Sequence, residues 1–439
     1  MLVKANNGEV EGCKICLASQ SFYPYVGGVS YYLYYLSQEF LRRKCEVYEV
    51  HLGKPSMPSE ELVEGVKVYR VGVGPKKEDW TRYSLFKEKL YEQIHGLRAE
   101  GEWSKEGYKE FVKFNKSVAS KIMQLCSEEE IDVVNPHDWQ LHLTPDYLDF
   151  SVPVVYTWHV PFTEKMGEEL GRQAAARLKK CDKVIFSTYE YLNHAKSLGV
   201  PEEKLVCIHP FVEPSRFNLD EREGYNFKKE KGIPLDSRIV LCVARIDPVK
   251  SHEDLLKAFA IIKKEYPNSK LVCVGNGSMS DDVLGIRGQR RAKIQKLVKE
   301  LDLEGDAIFL GNVPHKDVPR AYKMADVVVL PSKMEGFGLS LTEAMAAGKP
   351  VVAYDVGGVS TQIEHGFNGF LTEKGDFTEL AEKICELLGD RELKGIMGEK
   401  AKKIVEERFN VRKAAEKIVV VSLYSTSAFR MSLTSWGRP

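Results

Sequence analysis

Two glutamates, Glu335 and Glu343, stand with seven residues between them inside a stretch, 330–350, that reads LPSKMEGFGLSLTEAMAAGKP. An aliphatic run at 327–330 ends at Pro331, and a loop carrying Gly336 and Gly338 follows. A helix is expected to begin near Leu339 and to stop at Gly348, with Pro350 just beyond. The N–H groups at such a helix start have no partner inside the helix, and with the helix dipole they favour an anion. Carboxylates on either side of a phosphate cradle would repel the phosphate unless their work is to bind hydroxyls. A nucleotide-sugar offers both a diphosphate and hydroxyls. A second group of residues has the complementary charge: Arg245 and Lys250 follow the aliphatic run 239–244. Arginine supplies a planar fork and lysine a point charge, which together suit a diphosphate. A third group comes earlier in the chain. Gly27 and Gly28 follow the run 15–19, and His137 and His159 follow the runs 131–134 and 152–156. The ends of parallel strands are where open α/β sheets bind ligands.

The elements that must hold these residues alternate between short aliphatic runs and helical patterns, the signature of parallel sheets covered on both faces. In the first half the strand candidates are 15–19, 45–50, 65–73, 131–134, 152–156, 184–187 and 206–209. A helix over 30–44 places Leu33, Leu36 and Phe40 on one face. Residues 76–130 are rich in lysine, glutamate and aromatics, with helical spacing of Tyr108, Phe111, Val112, Val118, Ile122 and Leu125, and read as a solvated helical face. The proline-punctuated segment 209–216 joins the halves. The pattern then restarts with strands at 239–244, 270–274, 308–310, 327–330, 351–354 and 369–371, and with helices at 253–265, 377–407 and 411–424. Several of these strands end in glycines, among them Gly275, Gly277, Gly311, Gly357 and Gly358. Residues 1–12 read as a loose arm and 425–439 as a poorly ordered tail.

Composition narrows the function classes. A chain of 439 residues with 43% hydrophobic and 29% charged residues has room for two or three domains with full cores. A formal net charge of +0 argues against a dedicated nucleic-acid binder. The nine cysteines lack the regular spacing of a disulfide framework, which fits a reducing, cytoplasmic setting; Cys13 and Cys16 form a lone C-x-x-C and read as structural. No apolar run reaches the roughly 20 residues that a membrane span needs. The short basic runs around Arg42 and around Lys76 to Trp80 read as solvated charge in preference to a peripheral membrane contact. No G-x-G-x-x-G follows the first strand, which disfavours a dinucleotide dehydrogenase.

The run from Glu335 to Glu343 (EGFGLSLTE) resembles the E-x7-E motif of retaining GT-B glycosyltransferases of the family 4 type, the group of glycogen synthase-like, sucrose-synthesising and mannosyltransferase enzymes. Ala325 and Asp326, Pro331 and Ser332, the run 343–350, Gly357 with Gly358, the Gly27-Gly28-Val29 loop, Thr157 with His159, and the segment from Ala244 through Asp247 are similar to the same group. The resemblance covers about 13–424 and is thinner over 52–130. It implies an α/β fold of two doubly wound Rossmann-like domains facing a central cleft. These would be 13–210 on the acceptor side and 211–407 binding the donor, with a C-terminal helix at 411–424 crossing back to the first domain.

The resemblance also implies roles. Arg245 and Lys250 would hold the donor diphosphate in place of a metal. Glu335 would sit at the sugar and Glu343 at the ribose. Backbone of Phe337, Gly338 and Leu339 would cradle phosphate or sugar oxygens, and Asn312 with Val313 would meet the base. Gly28 would admit the phosphates, and His159 would contact the donor sugar or assist the acceptor. The site would be complete only when the two domains close over the donor.

The expected activity is metal-independent, retaining hexosyl transfer from a UDP-, GDP- or ADP-linked sugar, with no further cofactor, to a hydroxyl of a sugar, polyol, lipid-linked glycan or polysaccharide. The alternatives are a non-catalytic nucleotide-sugar-binding subunit and a GT-B-like epimerase. A phosphorylase would need a pyridoxal lysine motif that is not present. Three departures from the family pattern stand out: Ser251 and His252 after Lys250 where Lys-Gly is usual, Asn135-Pro136-His137 at a strand end, and Phe409 where a tryptophan is common.

Overall fold

A computed structural model describes residues 5–6, 9–10, 12–25, 27–54, 56–97, 105–277 and 279–424. The chain divides into two compact units. One ends at Pro210 and takes in the helix Val411–Tyr424; the other is Phe211–Asn410. The expected tail at 425–439 lies outside the described residues, as do Val26 and part of the amino-terminal arm. Within that arm, β1 (Ala5–Asn6) and β2 (Glu9–Val10) pair antiparallel, so it is not uniformly irregular.

The first unit is built on β3 (Lys14–Ala18), β4 (Glu46–Leu52), β5 (Glu60–Val63), β6 (Val66–Val71) and β7 (Val133–Pro136), in the order β5-β6-β4-β3-β7. Three more strands, β8 (Val155–Trp158), β9 (Lys183–Phe186) and β10 (Leu205–Cys207), follow in the order β10-β9-β8. Parallel bridges from Val134 to Val154 and from His137 to Thr157 attach them beside β7. Among strands β3 to β10 only β5 runs antiparallel, turning back on β6 through Glu64 and Gly65, both at positive φ as a tight hairpin requires. The sequence reads this region as one strand; β5 is a charged edge strand whose exposed Glu60, Glu61 and Leu62 show no inward-outward alternation.

The segment read as a solvated helical face is instead two helices, Lys77–Ile94 and Tyr108–Glu129, that supply core. Tyr83, Phe86, Leu90, Phe111, Phe114, Val118, Ile122 and Leu125 are buried in the same cluster as Tyr48 and Val50 of β4. Most of the charge of each helix lies on its outer face, which dominates the composition, with Lys87 and Glu110 as buried exceptions. The buried Cys13 lies against Cys45 of the neighbouring turn and not against Cys16.

The second unit is a single parallel sheet of β11 (Arg238–Val243), β12 (Ser269–Val274), β13 (Ala307–Gly311), β14 (Val327–Leu330), β15 (Val351–Tyr354) and β16 (Gly369–Thr372). Its order is β13-β12-β11-β14-β15-β16, so the winding reverses between β11 and β14. Both faces are covered. Ile239, Leu241, Val328, Leu330, Val351 and Ala353 enter one core, while Val240, Cys242, Val327, Val329, Val352 and Tyr354 enter another. Strands buried on both sides must read as continuous aliphatic runs, as these do. In the first unit the corresponding reversal lies between β3 and β7. The fold is the α/β, doubly wound arrangement that the alternation of patterns implies.

Among the described residues no helix is long and apolar enough to cross a membrane. Phe111 is 0% exposed at the centre of the first core, so Phe111→Ala is expected to cost about 3–5 kcal/mol in urea unfolding, read as a lower midpoint at unchanged slope.

Candidate active site

The residues singled out by type gather at the two reversals of winding, where the carboxyl ends of neighbouring strands part and leave a crevice. In the second unit, Arg245 and Lys250 leave β11, and the glycine loop leaves β14. Lys250 Nζ lies 2.5 Å from Glu335 Oε1, with both side chains largely buried, at 17% and 8% exposed. Ser332 Oγ donates to the same oxygen at 2.6 Å, and Lys333 N donates to Val249 O at 2.7 Å, which ties the two loops together. Lys250 closes a short 3-10 turn, Pro248–Lys250, capped by the buried Asp247, whose Oδ1 accepts from the N–H groups of Val249 and Lys250. Arg245 is more open, at 41% side-chain exposure, and its Nη2 lies 3.2 Å from Asp247 Oδ2. The usual glycine after the lysine is Ser251 here, and it takes the left-handed conformation glycine would favour, with φ 48°. His252 behind it is buried at the start of the helix His252–Glu265.

The glycine loop is shaped by close packing. Gly338 caps the helix Leu339–Ala346 in the left-handed region, with φ 89°. A Cβ at Gly358 would stand 2.3 Å from Gly336 O, and one at Gly275 would stand 2.2 Å from Ala244 O, so glycine is required for these neighbouring strand-end loops to nest. Gln362 Nε2 donates to Phe337 O at 2.5 Å and is itself positioned by Thr342 Oγ1 at 2.8 Å. Phe337 packs edge-on against Phe409, at 5.4 Å between ring centroids, so the phenylalanine standing where a tryptophan is common anchors the glycine loop. Glu343, one turn into the helix, accepts from Tyr322 Oη at 2.8 Å. Burial raises its pKa, against the opposing pull of Tyr322 and Arg216. Val313 is buried in the core of this unit, just beyond β13.

In the first unit the helix starts at Gly28, two residues before the expected start, so Gly28 is its exposed first residue and not part of the loop. Gly27 has a φ of 169°, ordinary extended backbone, and a Cβ there would meet nothing nearer than Ser30 Oγ at 3.6 Å. Internal packing gives no reason for glycine at this position. Across the reversal, His137 Nδ1 lies 3.0 Å from His159 Nε2 with the rings nearly parallel, and Tyr32 packs edge-on against His159 at 4.6 Å. His137, whose place sequence reasoning left open, is thus the immediate neighbour of His159. Burial lowers both histidines, His159 to about 3 and His137 well below its ordinary value, so the pair is neutral near pH 7. Asp138, with φ 70°, accepts the His159 N–H on Oδ1 at 3.3 Å, and Tyr156 Oη donates to its carbonyl at 2.7 Å. Burial raises the Asp138 carboxyl to about 7.

Sequence reasoning missed Asp138, Tyr322, Gln362 and Asp247. Asp247 had a signal, as the residue before a proline at a helical start. Tyr322 and Gln362 reach the site only through tertiary packing.

Two parallel doubly wound units, each with polar side chains collected at its reversal point, define a two-domain α/β protein of the nucleotide-binding kind. Comparison with known proteins makes this specific. Residues 225–404 match the family "Glycosyl transferases group 1" and residues 105–216 match "Glycosyltransferase Family 4". An N-acetyl-alpha-D-glucosaminyl L-malate synthase of Bacillus anthracis is 29% identical over 324 residues, covering 72% of this chain and 79% of its own. A D-inositol 3-phosphate glycosyltransferase of Nocardia farcinica is 27% identical, covering 85% and 80%. Among solved structures, Anabaena HepE in complex with UDP-glucose superposes with a TM-score of 0.73 at 21% identity, over 94% of this chain and all of that one. The chain carries group 1 and family 4-like glycosyltransferase domains on a GT-B fold, and it is a glycosyltransferase.

Asp138 gives a pH-dependent expectation. Its folded pKa of about 7 lies above its ordinary 3.8, so its contribution to stability is fully present below the ordinary value and is lost as pH rises through 7. Asp138→Asn keeps the acceptor for His159 N–H without the ionisation. Its Tm should exceed that of the wild type at pH 8 and show no such gain at pH 3, below the ordinary value.

Proposed function

We propose that this glycosyltransferase moves a hexosyl group from a nucleotide-diphospho-sugar to an acceptor hydroxyl with retention of anomeric configuration and with protein cations, not a divalent metal, neutralising the leaving group. The observation that carries the reading is the buried Lys250–Glu335 pair at the winding reversal of the second unit, eight positions before the helix carboxylate Glu343. It sets a cation suited to the donor phosphates beside a carboxylate suited to the sugar. Arg245, more open to solvent, adds a fork for the diphosphate. The first N–H groups of the helix Leu339–Ala346, with backbone of Phe337 and Gly338, cradle oxygen atoms. Glu343, oriented by Tyr322, accepts from ribose hydroxyls. Backbone at Asn312 and Val313 receives the base. Gly28 lets backbone approach the phosphates, which accounts for a glycine pair that internal packing does not demand at Gly27.

In the step itself the acceptor oxygen forms a bond to the anomeric carbon as the bond from that carbon to the leaving phosphate oxygen breaks. The acceptor proton passes to the leaving oxygen on the same face. Arg245 and Lys250 stabilise the negative charge that develops on the diphosphate, and Glu335 stabilises positive charge at the sugar. His159, neutral and held by Asp138 and His137, contributes a hydrogen bond and not a titrating base. The HepE complex contains UDP-glucose, which places a uridine donor first among those to try. The names of the two relatives include L-malate and D-inositol 3-phosphate, each an anion bearing at least one hydroxyl.

A panel of UDP-, GDP- and ADP-sugars without added metal is expected to contain one that raises Tm by mass action on the folded state; failure of all of them sinks the donor assignment. With that donor, Glu343→Ala should weaken nucleotide binding about tenfold or more, as expected for lost hydroxyl contacts to a charged group. Glu335→Gln, which avoids leaving Lys250 beside a void, should lower kcat with little change in donor Kd. The product anomer, read by NMR, should match that of the donor, and an inverted product would rule out the retaining reading.

A further inference from the structure

The geometry points to a second binding site in the first unit, a pocket for the phosphate-bearing part of a polyol-phosphate acceptor; the word acceptor rests on the proposed transfer reaction. The pocket has a volume of about 310 Å³, at the lower end of the range for small-molecule sites. It opens where β4 and β6 end: Gly53 and Lys54 directly follow β4, and Gly72 directly follows β6. These strands are neighbours in the sheet, so the pocket lies on the edge where parallel sheets present ligands. Its lining has three cations, Lys54, Arg70 and Lys113, and no carboxylate.

Arg70 is a built feature. Its side chain is 3% exposed, with Nη2 held by Glu61 Oε2 at 2.6 Å and Nη1 donating to Pro58 O at 3.1 Å. Gly53 passes so close that a Cβ there would stand 2.4 Å from Arg70 Cβ, so only glycine lets the turn after β4 close over the guanidinium stem. Glu61 offsets the Arg70 charge, whereas among the described residues neither Lys54 nor Lys113 is paired with a carboxylate. The pocket therefore carries an excess of positive charge.

The Trp80 indole and Met57 give the pocket apolar surface, suited to the C–H face of a polyol ring. Cations and an aromatic wall match an anionic molecule with a C–H face better than a neutral sugar. Nothing in the donor site described above uses these residues.

The test uses the full chain and its Lys54→Gln/Lys113→Gln double variant, with three probes: glucose 6-phosphate, glucose, and vesicles rich in phosphatidylglycerol. Glucose 6-phosphate should bind at least tenfold more tightly than glucose and lose about tenfold or more in the double variant, in line with the loss of charge-assisted contacts. Co-sedimentation with the vesicles that disappears in the same variant would place the phosphate in a lipid headgroup instead. Equal binding of the phosphorylated and neutral sugars with no vesicle binding, or phosphate binding that survives in the double variant, overturns the proposal. The Tm shift produced by the nucleotide-sugar panel should be unchanged in the double variant; it reads the donor site alone, so failure of one assignment is seen separately from failure of the other.

Discussion

The contact between Lys250 and Glu335 is the constraint around which the second unit's site is arranged. Two charges at 17% and 8% side-chain exposure have given up most of their hydration, and they recover it only by pairing closely. That demand fixes the loop after β11 against the loop after β14. It explains why Asp247 is spent on capping the turn that aims Lys250, why Ser332 adds a second donor to the same carboxylate oxygen, and why Lys333 N reaches back to Val249 O. Removing either partner would leave a buried charge uncompensated, a loss of about 3–5 kcal/mol. Under the proposed reading the pair also holds the cation and the carboxylate ready, so that ligand binding exchanges partners and does not create charge in a dry site.

Burial acts differently in the first unit. There the two histidines are held neutral by burial and are not paired as ions. His137 and His159 face one another with their pKa values pushed down, and Asp138 is pushed up to about 7, so hydrogen bonding replaces charge at the strand ends. The positive φ of Asp138 turns its backbone so that Oδ1 meets the amide of His159 while its carbonyl meets Tyr156. Such a cluster orients donors and acceptors firmly, and of its three titratable side chains Asp138 is the one that exchanges a proton near neutral pH.

What could be read directly from the residues was whatever had a periodic or local cause. The central strands of the second unit, β11, β14 and β15, are buried on both faces, so they announce themselves as aliphatic runs. The loop and helix from Glu335 through Gly348 carry their own punctuation, and Gly338 and Gly348 fall where positive φ is needed. Edge strand β5 could not be read because its exposed side chains have no alternation to detect. The helices Lys77–Ile94 and Tyr108–Glu129 were misjudged because their outward charges outnumber the inward stripe. In the site, Glu335, Glu343, Arg245, Lys250 and His159 were visible as chemistry at strand ends. Tyr322, Gln362 and the pairing of His137 with His159 exist only because distant segments fold together. Ser251 shows a limit of another kind: a serine adopts positive φ there with no local signal for it.

The ion pair also bears on the order in which the molecule is made. Lys250 and Glu335 are 85 positions apart, and the strands that carry them are adjacent in the sheet although β12 and β13 intervene along the chain. Closing that contact is a long-range event, among the slower ones a chain undertakes. During synthesis, Lys250 emerges well before its partner and must wait, solvated, until β14 arrives and docks. A chain interrupted before Glu335 would therefore hold the lysine without its carboxylate, so a half-made product has no half-formed version of this site.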